Sequence, residues 1–541
     1  MTHYNYEPFD YIAPPEVSGG KTKDYPVAII GAGPIGLAAA IDLALHDVPS
    51  VVVDDNNVVS VGSRAICWSK RTLEIFDRLG VGERMLEKGV TWKVGRLFHR
   101  DREVYNFDLL PEDGHKMPAF INLQQYYVEQ YLVERAREFP DLIDLRFKNK
   151  VVGQVLSDDG VTLQIETPDG PYDLRADYVI ACDGAGSPTR RRMGLLFEGH
   201  TFHEQFLIAD VDMPESPFET EHPERWFWFD PPFHNGQSAL LHKQPDNIYR
   251  IDLQLGPDAD AEEEKKEENV LPRIRAMVGD KPFTLDWVSV YQFTCARLER
   301  FVHGRMIFAG DSAHVVSPFG ARGGNGGIQD TDNLCWKLAK IIKGEATDAL
   351  LETYDRERTY GSDENLLNSS RATNFMTPKS EMEAIFRNET LTLAGSMPFA
   401  RKLVNSGRLS EPCSLTGQEL QTPAEPDSKG LEPGTPCPDA PVMHQGSETW
   451  LLDQLGGRFV LLTVGDVALP DGGLEIDHLS VRKDGDDPES FHDHRQFVVG
   501  RYGDAEAYLI RPDQHVAACF NGAVPADGLK EALMRAGGQQ L

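Results

Sequence analysis

The sequence predicts an α/β fold in three units: a doubly wound parallel unit, an antiparallel sheet inserted into it, and a smaller strand-and-helix unit at the C-terminus. Three observations predict it. The apolar run Val27 to Ile30 feeds straight into Gly31-Ala32-Gly33-Pro34-Ile35-Gly36, and Leu37 to Leu45 then reads as a helix. Between residues 225 and 255, polar and apolar residues alternate, as in half-buried strands. Beyond residue 431, short apolar runs are separated by turn residues and close on a helix from Gly528 to Ala536.

The first segment also carries chemistry. A strand, a tight turn and a helix N-terminus make a cradle for a pyrophosphate. Gly31 permits the turn, Gly33 lets the backbone approach the phosphates, and Gly36 lets the helix pack on the strand. Ser50 to Val53 reads as a second strand, and Asp54 ends it 18 residues after Gly36. An acid at that place reaches the ribose hydroxyls of a dinucleotide. The motif by itself leaves NAD and FAD both open.

A chain of 541 residues holds two to four domains. The formal net charge of −31 argues against nucleic acid and anionic membrane surfaces as partners. No apolar run approaches the roughly 20 residues of a membrane span. Residues 1–24 are polar, with Pro14, Pro15, Gly19 and Gly20, and are expected to form a flexible arm rather than a signal peptide. Seven cysteines (67, 182, 295, 335, 413, 437 and 519) show no CxxC pair and no metal spacing. They fit a reducing cytoplasm and predict no metal site.

Two further stretches resemble parts of one site. The strand Tyr178 to Ala181 ends at Asp183-Gly184, with Arg190 shortly after; an arginine there can fork onto an anion. The strand Met306 to Ala309 delivers Asp311 to a turn, followed by Ser317-Pro318-Phe319-Gly320-Ala321-Arg322-Gly323-Gly324-Asn325 and a helix from about Ile328 to Ile342. That glycine-dense loop leaves backbone N–H groups at a helix N-terminus, where they stabilise negative charge on a ligand ring. Asp311 is placed to accept hydrogen bonds from a polyol chain.

In order and separation, these stretches resemble the GxGxxG, DG and GD motifs of the group A FAD-dependent aromatic monooxygenases, in their phenol hydroxylase and hydroxyphenylpropionate hydroxylase branch. The likeness is strong over about residues 25–370. It implies FAD as cofactor and NADPH or NADH as co-substrate. It implies that Gly31, Gly33, Pro34, Ile35 and Gly36 cradle the FAD pyrophosphate and that Asp54 binds the adenosine ribose. The family usually has Glu followed by Arg there, where this chain has Asp54-Asp55. By the same likeness Arg64 stands near the pyrophosphate, Gln125 and Asp311 touch the ribityl chain, and Asp183 and Arg190 serve FAD and pyridine-nucleotide handling. Gly323, Gly324 and Asn325 would offer backbone donors to the flavin pyrimidine edge. Pro318 would set its carbonyl near the oxygen-reacting face.

The resemblance makes residues 25–195 and 296–370 a discontinuous Rossmann-like FAD-binding domain and 196–295 a substrate-binding sheet. Arg225 to Phe229, Gln237 to His242 and Ile248 to Leu255 are its expected strands. His242, Arg250 and Gln254 are polar residues on apolar strands, candidates to orient a phenol or carboxylate, with a structural hydrogen-bonding role equally open. Relatives place an acid in the pocket shortly after the arginine that corresponds to Arg64; here the segment reads Ile66-Cys67-Trp68. The acidic run Asp258 to Asn269 is expected to be a solvated helix or loop. Residues 371–430 are expected to form a helical segment and linker. In 431–541, strands at Phe459 to Leu462, Phe497 to Gly500 and Ala507 to Ile510 resemble a thioredoxin-like domain that lacks CxxC.

The implied reaction is hydroxylation of a small phenolic or aromatic substrate by dioxygen through a flavin C4a-hydroperoxide, in a cytoplasmic homodimer. A flavin oxidase or dehydrogenase on the same fold stays open, as does epoxidation or ring expansion of a polyketide.

Overall fold

The structure is a computed structural model. It describes residues 4–19, 23–62, 65–218, 220–234, 236–404, 411–424, 430–470, 476–483, 487–504 and 506–539. Arg64 therefore lies outside the described residues. No helix among them is long and apolar enough to cross a membrane.

The first sheet is built on a parallel core. Tyr25–Ile30 pairs in parallel with Gly170–Ala181 on one side and Ser50–Asp54 on the other; Met306–Phe308 and Ile143–Phe147 extend the two flanks. Val27, Ile29, Val51, Val52 and Ile180 are fully buried, because both faces of the sheet are covered where these strands lie side by side. The helices Pro34–Leu45 and Gly323–Ile342 pack together against this sheet. The carboxyl ends of Tyr25–Ile30, Ser50–Asp54 and Met306–Phe308 carry the glycine turn, Asp54 and Asp311. That is the edge of an open α/β sheet where ligands bind.

The second sheet has eight strands, arranged around the antiparallel set Phe197–Asp212, Thr284–Leu298, Ile248–Leu255, Ala239–Lys243 and Arg225–Phe229. Three of its strands, Val94–His99, Arg102–Asp108 and His314–Val315, come from inside the span expected for the first unit, and Val94–His99 pairs in parallel with Arg225–Phe229. Its two faces differ, as period-two alternation dictates. Leu207, Ala209, Leu241, Tyr249, Ile251 and Leu253 form an apolar layer against the helix Glu267–Val278. The opposite face carries Arg225, His242, Arg250 and Asp252. The acidic run supplies Ala261–Glu264 and the first turn of Glu267–Val278, so it is helical and solvated.

The third sheet has seven strands in the C-terminal unit. Val460–Val464 and Asp477–Arg482 are parallel, and the hairpin Glu506–Ile510 with Val516–Asn521 continues the sheet antiparallel before the closing helix Ala526–Ala536. One expectation is corrected here. Phe497 to Gly500 is not a strand but the start of the helix Phe497–Tyr502. A four-residue apolar run carries no period, and burial of Val498 and Tyr502 against the sheet decides for the helix.

Candidate active site

The glycine turn divides its labour. Gly31 has φ +105°, and a Cβ there would lie 2.6 Å from the Cys182 carbonyl oxygen. A Cβ on Gly36 would lie 2.0 Å from the Gly31 oxygen, so helix and turn touch backbone to backbone. Around Gly33 a Cβ would meet nothing within 4 Å. Gly33 is thus the glycine that faces open space at the N-terminus of the twelve-residue helix Pro34–Leu45. That space, lined by N–H groups without intrahelical partners, suits a pyrophosphate. Pro34 opens the helix. Ile35 turns away from the cradle: it lies against Gly310 and Gly327, where a Cβ would approach it to 2.9 and 2.6 Å. It joins the first motif to the third by packing.

Asp54 ends its strand as expected, and its carboxylate closes the turn. Oδ2 accepts from the Ala32 N–H at 2.6 Å and Oδ1 from the Asn56 N–H at 2.8 Å. Burial nevertheless holds its pKa above the ordinary carboxylate value. Gln125 opens the helix Gln125–Ala136 and reaches the neighbouring loop. Its Nε2 donates to Ser60 Oγ at 3.1 Å and to Glu129 Oε1 at 2.8 Å, and its Oε1 accepts from the Ala65 N–H at 3.1 Å. Glu129, buried and raised in pKa by that burial, accepts from the Ser60 N–H and hydroxyl. Together the pair holds Ser60 and Ala65.

Asp311 stands exposed in the turn Gly310–Ser312. The turn is fixed by Asp330, a residue with no solvent exposure. Asp330 accepts from the Gly310 N–H at 2.9 Å and from Arg358 Nε at 2.7 Å, and meets His314 Nε2 at 2.6 Å. Burial pushes the Asp330 carboxyl up, but His314 and Arg358 outweigh it and hold it below the usual range. The loop that follows turns on Gly320 (φ +96°) and Ala321 (φ +53°), and the Pro318 carbonyl accepts from the Ala321 N–H at 3.0 Å. The helix then begins at Gly323, not at Ile328, so Gly323, Gly324 and Asn325 form its first turn and present their N–H groups. Asn325 turns its side chain inward. It accepts from the Ser69 N–H at 2.9 Å and donates to the Cys67 carbonyl at 2.9 Å, pinning the strand Cys67–Ser69 to the loop.

Asp183 and Arg190 differ from expectation. Asp183 accepts from the Ser187 hydroxyl and, at 3.0 Å, from the Thr189 N–H, capping the short helix Pro188–Arg192. Arg190 donates to the carbonyls of Ser312 at 3.0 Å and Ala185 at 2.6 Å, and its guanidinium lies 3.7 Å from the Phe197 ring centroid. Its fork is filled by protein carbonyls, so it ties the second motif to the third rather than waiting for an anion.

The polar face of the second sheet comes next. Strand register sets Arg225 opposite His242, His242 opposite Arg250, and Arg250 opposite Asp210, a row across four strands. Arg250 donates from Nε and Nη2 to the two oxygens of Asp210 at 2.8 and 2.7 Å. Gln254 accepts from the Ser238 N–H at 3.0 Å. Of the two roles open to them in the sequence, these hydrogen bonds are of the structural kind. His242 is different: its Nε2 lies 3.3 Å from Asp252 Oδ2 and its Nδ1 lies 4.0 Å from Cys67 Sγ. Arg225 Nη1 also reaches Cys67 Sγ, at 3.4 Å.

Beside this row opens an aromatic cleft. Arg225, Phe227 and Phe229 form one wall, Phe319 and Gly320 of the glycine loop another, and Phe375 of the helix Ala349–Met376 a third. Trp226 and Trp228 point the other way, into the apolar layer. Arg225 was missed by sequence reasoning, although alternation puts it on the face of Phe227 and Phe229. Asp252 likewise shares its face with Arg250. For Cys67 the sequence signals only that it stands in the segment where relatives place a pocket acid; its partners Arg225 and His242 are 158 and 175 residues away.

Comparison with known proteins agrees with this geometry. Residues 24–368 match the family model described as FAD binding domain, and residues 431–539 match that described as aromatic-ring hydroxylase, C-terminal. A flavin-dependent monooxygenase of Mycobacteroides abscessus is 30% identical over 349 residues, 61% of this chain and 70% of that protein. A 3-(3-hydroxy-phenyl)propionate/3-hydroxycinnamic acid hydroxylase of Mycolicibacterium smegmatis is 27% identical over 439 residues, 81% of this chain and 76% of that one. Among solved structures, the flavin-dependent monooxygenase PieE in complex with FAD and substrate superposes with a TM-score of 0.79 at 23% identity, over 96% of this chain and 100% of that one. The chain belongs to the FAD-dependent aromatic-ring hydroxylases. It is a flavoprotein monooxygenase that acts on an aromatic or phenolic substrate.

Proposed function

We propose that this chain hydroxylates a small substituted phenol, with NADPH or NADH as reductant and dioxygen as oxidant. The observation that carries the reading is the cleft in which Phe227, Phe229 and Arg225 face Phe319 and Gly320 of the flavin loop. Aromatic walls favour a ring, and the single guanidinium favours a ring bearing an anionic oxygen. Two relatives support a phenol, since they are named as 3-(3-hydroxy-phenyl)propionate/3-hydroxycinnamic acid hydroxylases. Bound FAD would supply the redox chemistry and the activation of oxygen. Gly31, Gly33, Pro34 and Gly36 would hold its pyrophosphate, Asp54 and Asp311 its two polyol ends, and the first turn of Gly323–Ile342 its ring, with Arg64 and Gln125 nearby. Pro318 would face the side where oxygen reacts.

The C-terminal unit is read as thioredoxin-like, supported by a parallel strand pair continued by an antiparallel hairpin and a closing helix. Its cysteines, Cys437 and Cys519, are buried and form no CxxC pair, which favours a packing or homodimer-forming role. All seven cysteines are free, which supports a reducing, cytoplasmic setting.

The test is anaerobic flavin reduction followed by mixing with oxygen, using NADPH, NADH and a panel of phenols. The expected result is a phenol that accelerates flavin reduction and leaves as a hydroxylated product. Release of hydrogen peroxide alone with every phenol would sink the reading.

A further inference from the structure

We propose that Cys67, as the thiolate, is the base that removes the proton from the substrate phenol, with His242 and Asp252 behind it and Arg225 facing the phenolate it creates. This rests on the hydroxylase reading above and names the proton acceptor of that site.

Arg225 is 4% exposed and has no carboxylate within ion-pair distance among the described residues. Its polar contact is Cys67 Sγ at 3.4 Å, and the rings of Trp92 and Phe227 flank it at 5.6 and 5.1 Å. A buried guanidinium requires an anion, and a thiolate is the group placed to be one. The described residues that line the cleft include no carboxylate and no histidine; Cys67 stands immediately behind its Arg225 wall, with Sγ 3.4 Å from Arg225 Nη1. Tyr105, the other ionisable side chain on its wall, is pushed up to about 12 by burial and stays a neutral phenol. Cys67 is half-buried, and its carbonyl is held by Asn325 of the flavin loop, so its sulfur sits where loop and sheet meet.

The titratable and charged groups around Cys67 come from three further strands: Arg225, His242, and the pair Asp252 and Arg250, with Arg250 itself neutralised by Asp210. Burial raises the thiol, but Arg225, His242 and Arg250 outweigh it and bring it below the ordinary cysteine value. The protonated state is also provided for. A thiol at this position donates to Asn122 Oδ1 at 3.2 Å.

The step balances without electron transfer. The phenol O–H bond breaks, an S–H bond forms on Cys67, and the phenolate oxygen keeps the electron pair opposite Arg225. The proton rests on sulfur, which donates it toward Asn122 Oδ1. It returns to oxygen when the hydroxylated product forms.

The experiment uses the FAD-loaded enzyme with 4-nitrophenol, whose phenolate is coloured, and compares wild type with Cys67→Ala and Cys67→Asp. Flavin content and melting temperature establish that each variant folds. In wild type the bound phenol ionises at lower pH than in solution. In Cys67→Ala this midpoint moves up by about one pH unit or more. Turnover there falls by about 10²–10⁴-fold below the phenol's own pKa, the loss closing as pH rises and the phenol ionises unaided. Cys67→Asp restores both. An unchanged midpoint in Cys67→Ala overturns the proposal. A second readout needs no substrate: the ultraviolet thiolate band of wild type minus Cys67→Ala. It is expected to titrate below the ordinary thiol range, and a Cys67 that stays protonated to pH ~9 overturns the proposal. If the thiolate titrates as expected but no phenol couples NAD(P)H use to a hydroxylated product, it is the hydroxylase reading that fails.

Discussion

Arg511, in the hairpin of the C-terminal sheet, holds Glu357 of the helix Ala349–Met376 through two hydrogen bonds of 2.7 and 2.9 Å. Neither residue is more than 1% exposed. Asp513 completes the fork of Arg511, while Lys337 and Asn333 of the helix Gly323–Ile342 share the Glu357 carboxylate. The C-terminal unit is thereby locked by buried charge onto the helix whose first turn is the flavin loop.

Removing one member leaves the other charges buried and unmatched. Arg511→Ala is expected to cost about 3–5 kcal/mol. Hydrogen exchange would detect it as early loss of protection in Val460–Val464 and Glu506–Ile510. Although burial pushes the Glu357 carboxyl up, Arg511 and Lys337 hold it far below the usual range. A depressed carboxyl stabilises above its unfolded pKa of about 4.3, and that contribution is lost as pH falls toward the folded value. Acid should therefore release the C-terminal unit, and in Glu357→Gln the acid-dependent part of the loss should be absent.

Asp439 has the opposite sign. It accepts from the N–H groups of Lys116 and Leu452 at 3.1 Å each, and burial above all raises it to about 6. Its contribution is full below the unfolded pKa of about 3.9 and is lost as pH rises through about 6. Melting temperature measured from pH 4 to 7 should show a downward component in wild type that Asp439→Asn lacks.

The cradle glycines should separate in experiment. Gly33→Ala places a methyl group in open space, so the protein should fold normally while FAD affinity falls by roughly tenfold or more, about 1.4 kcal/mol. Gly36→Ala drives a methyl group into the Gly31 carbonyl and should lower the melting temperature with or without FAD. Equal effects of the two on folding would contradict this division.

The two faces of the second sheet should separate in the same way. Phe227→Ala, in the cleft wall, should raise KM for the aromatic substrate with little change in stability. Leu253→Ala, fully buried in the opposite layer, should cost about 2–5 kcal/mol and leave KM alone.

Motifs built from consecutive residues were legible because local backbone geometry dictates them. The strand, turn and helix at Tyr25 to Leu45 need glycine wherever φ is positive or a Cβ would clash, and those needs are written at Gly31 and Gly36. The alternation at Arg225 to Phe229 likewise implied a strand with two different faces, and the structure decides that Phe227 and Phe229 line the cleft while Trp226 and Trp228 face the core. What only the tertiary structure decided is which side chains complete one another. Arg190 reads as an anion fork until the carbonyls of Ala185 and Ser312 fill it. Arg250 leaves a substrate contact and a structural role equally open until Asp210 arrives across the sheet. Phe497 to Gly500 reads as a strand until packing makes it a helix. Cys67 meets His242 and Arg225 only because the sheet folds onto the flavin loop. A guanidinium, thiol or carboxylate takes its character from whatever desolvates and neutralises it, and in a folded chain those neighbours come from anywhere in the sequence.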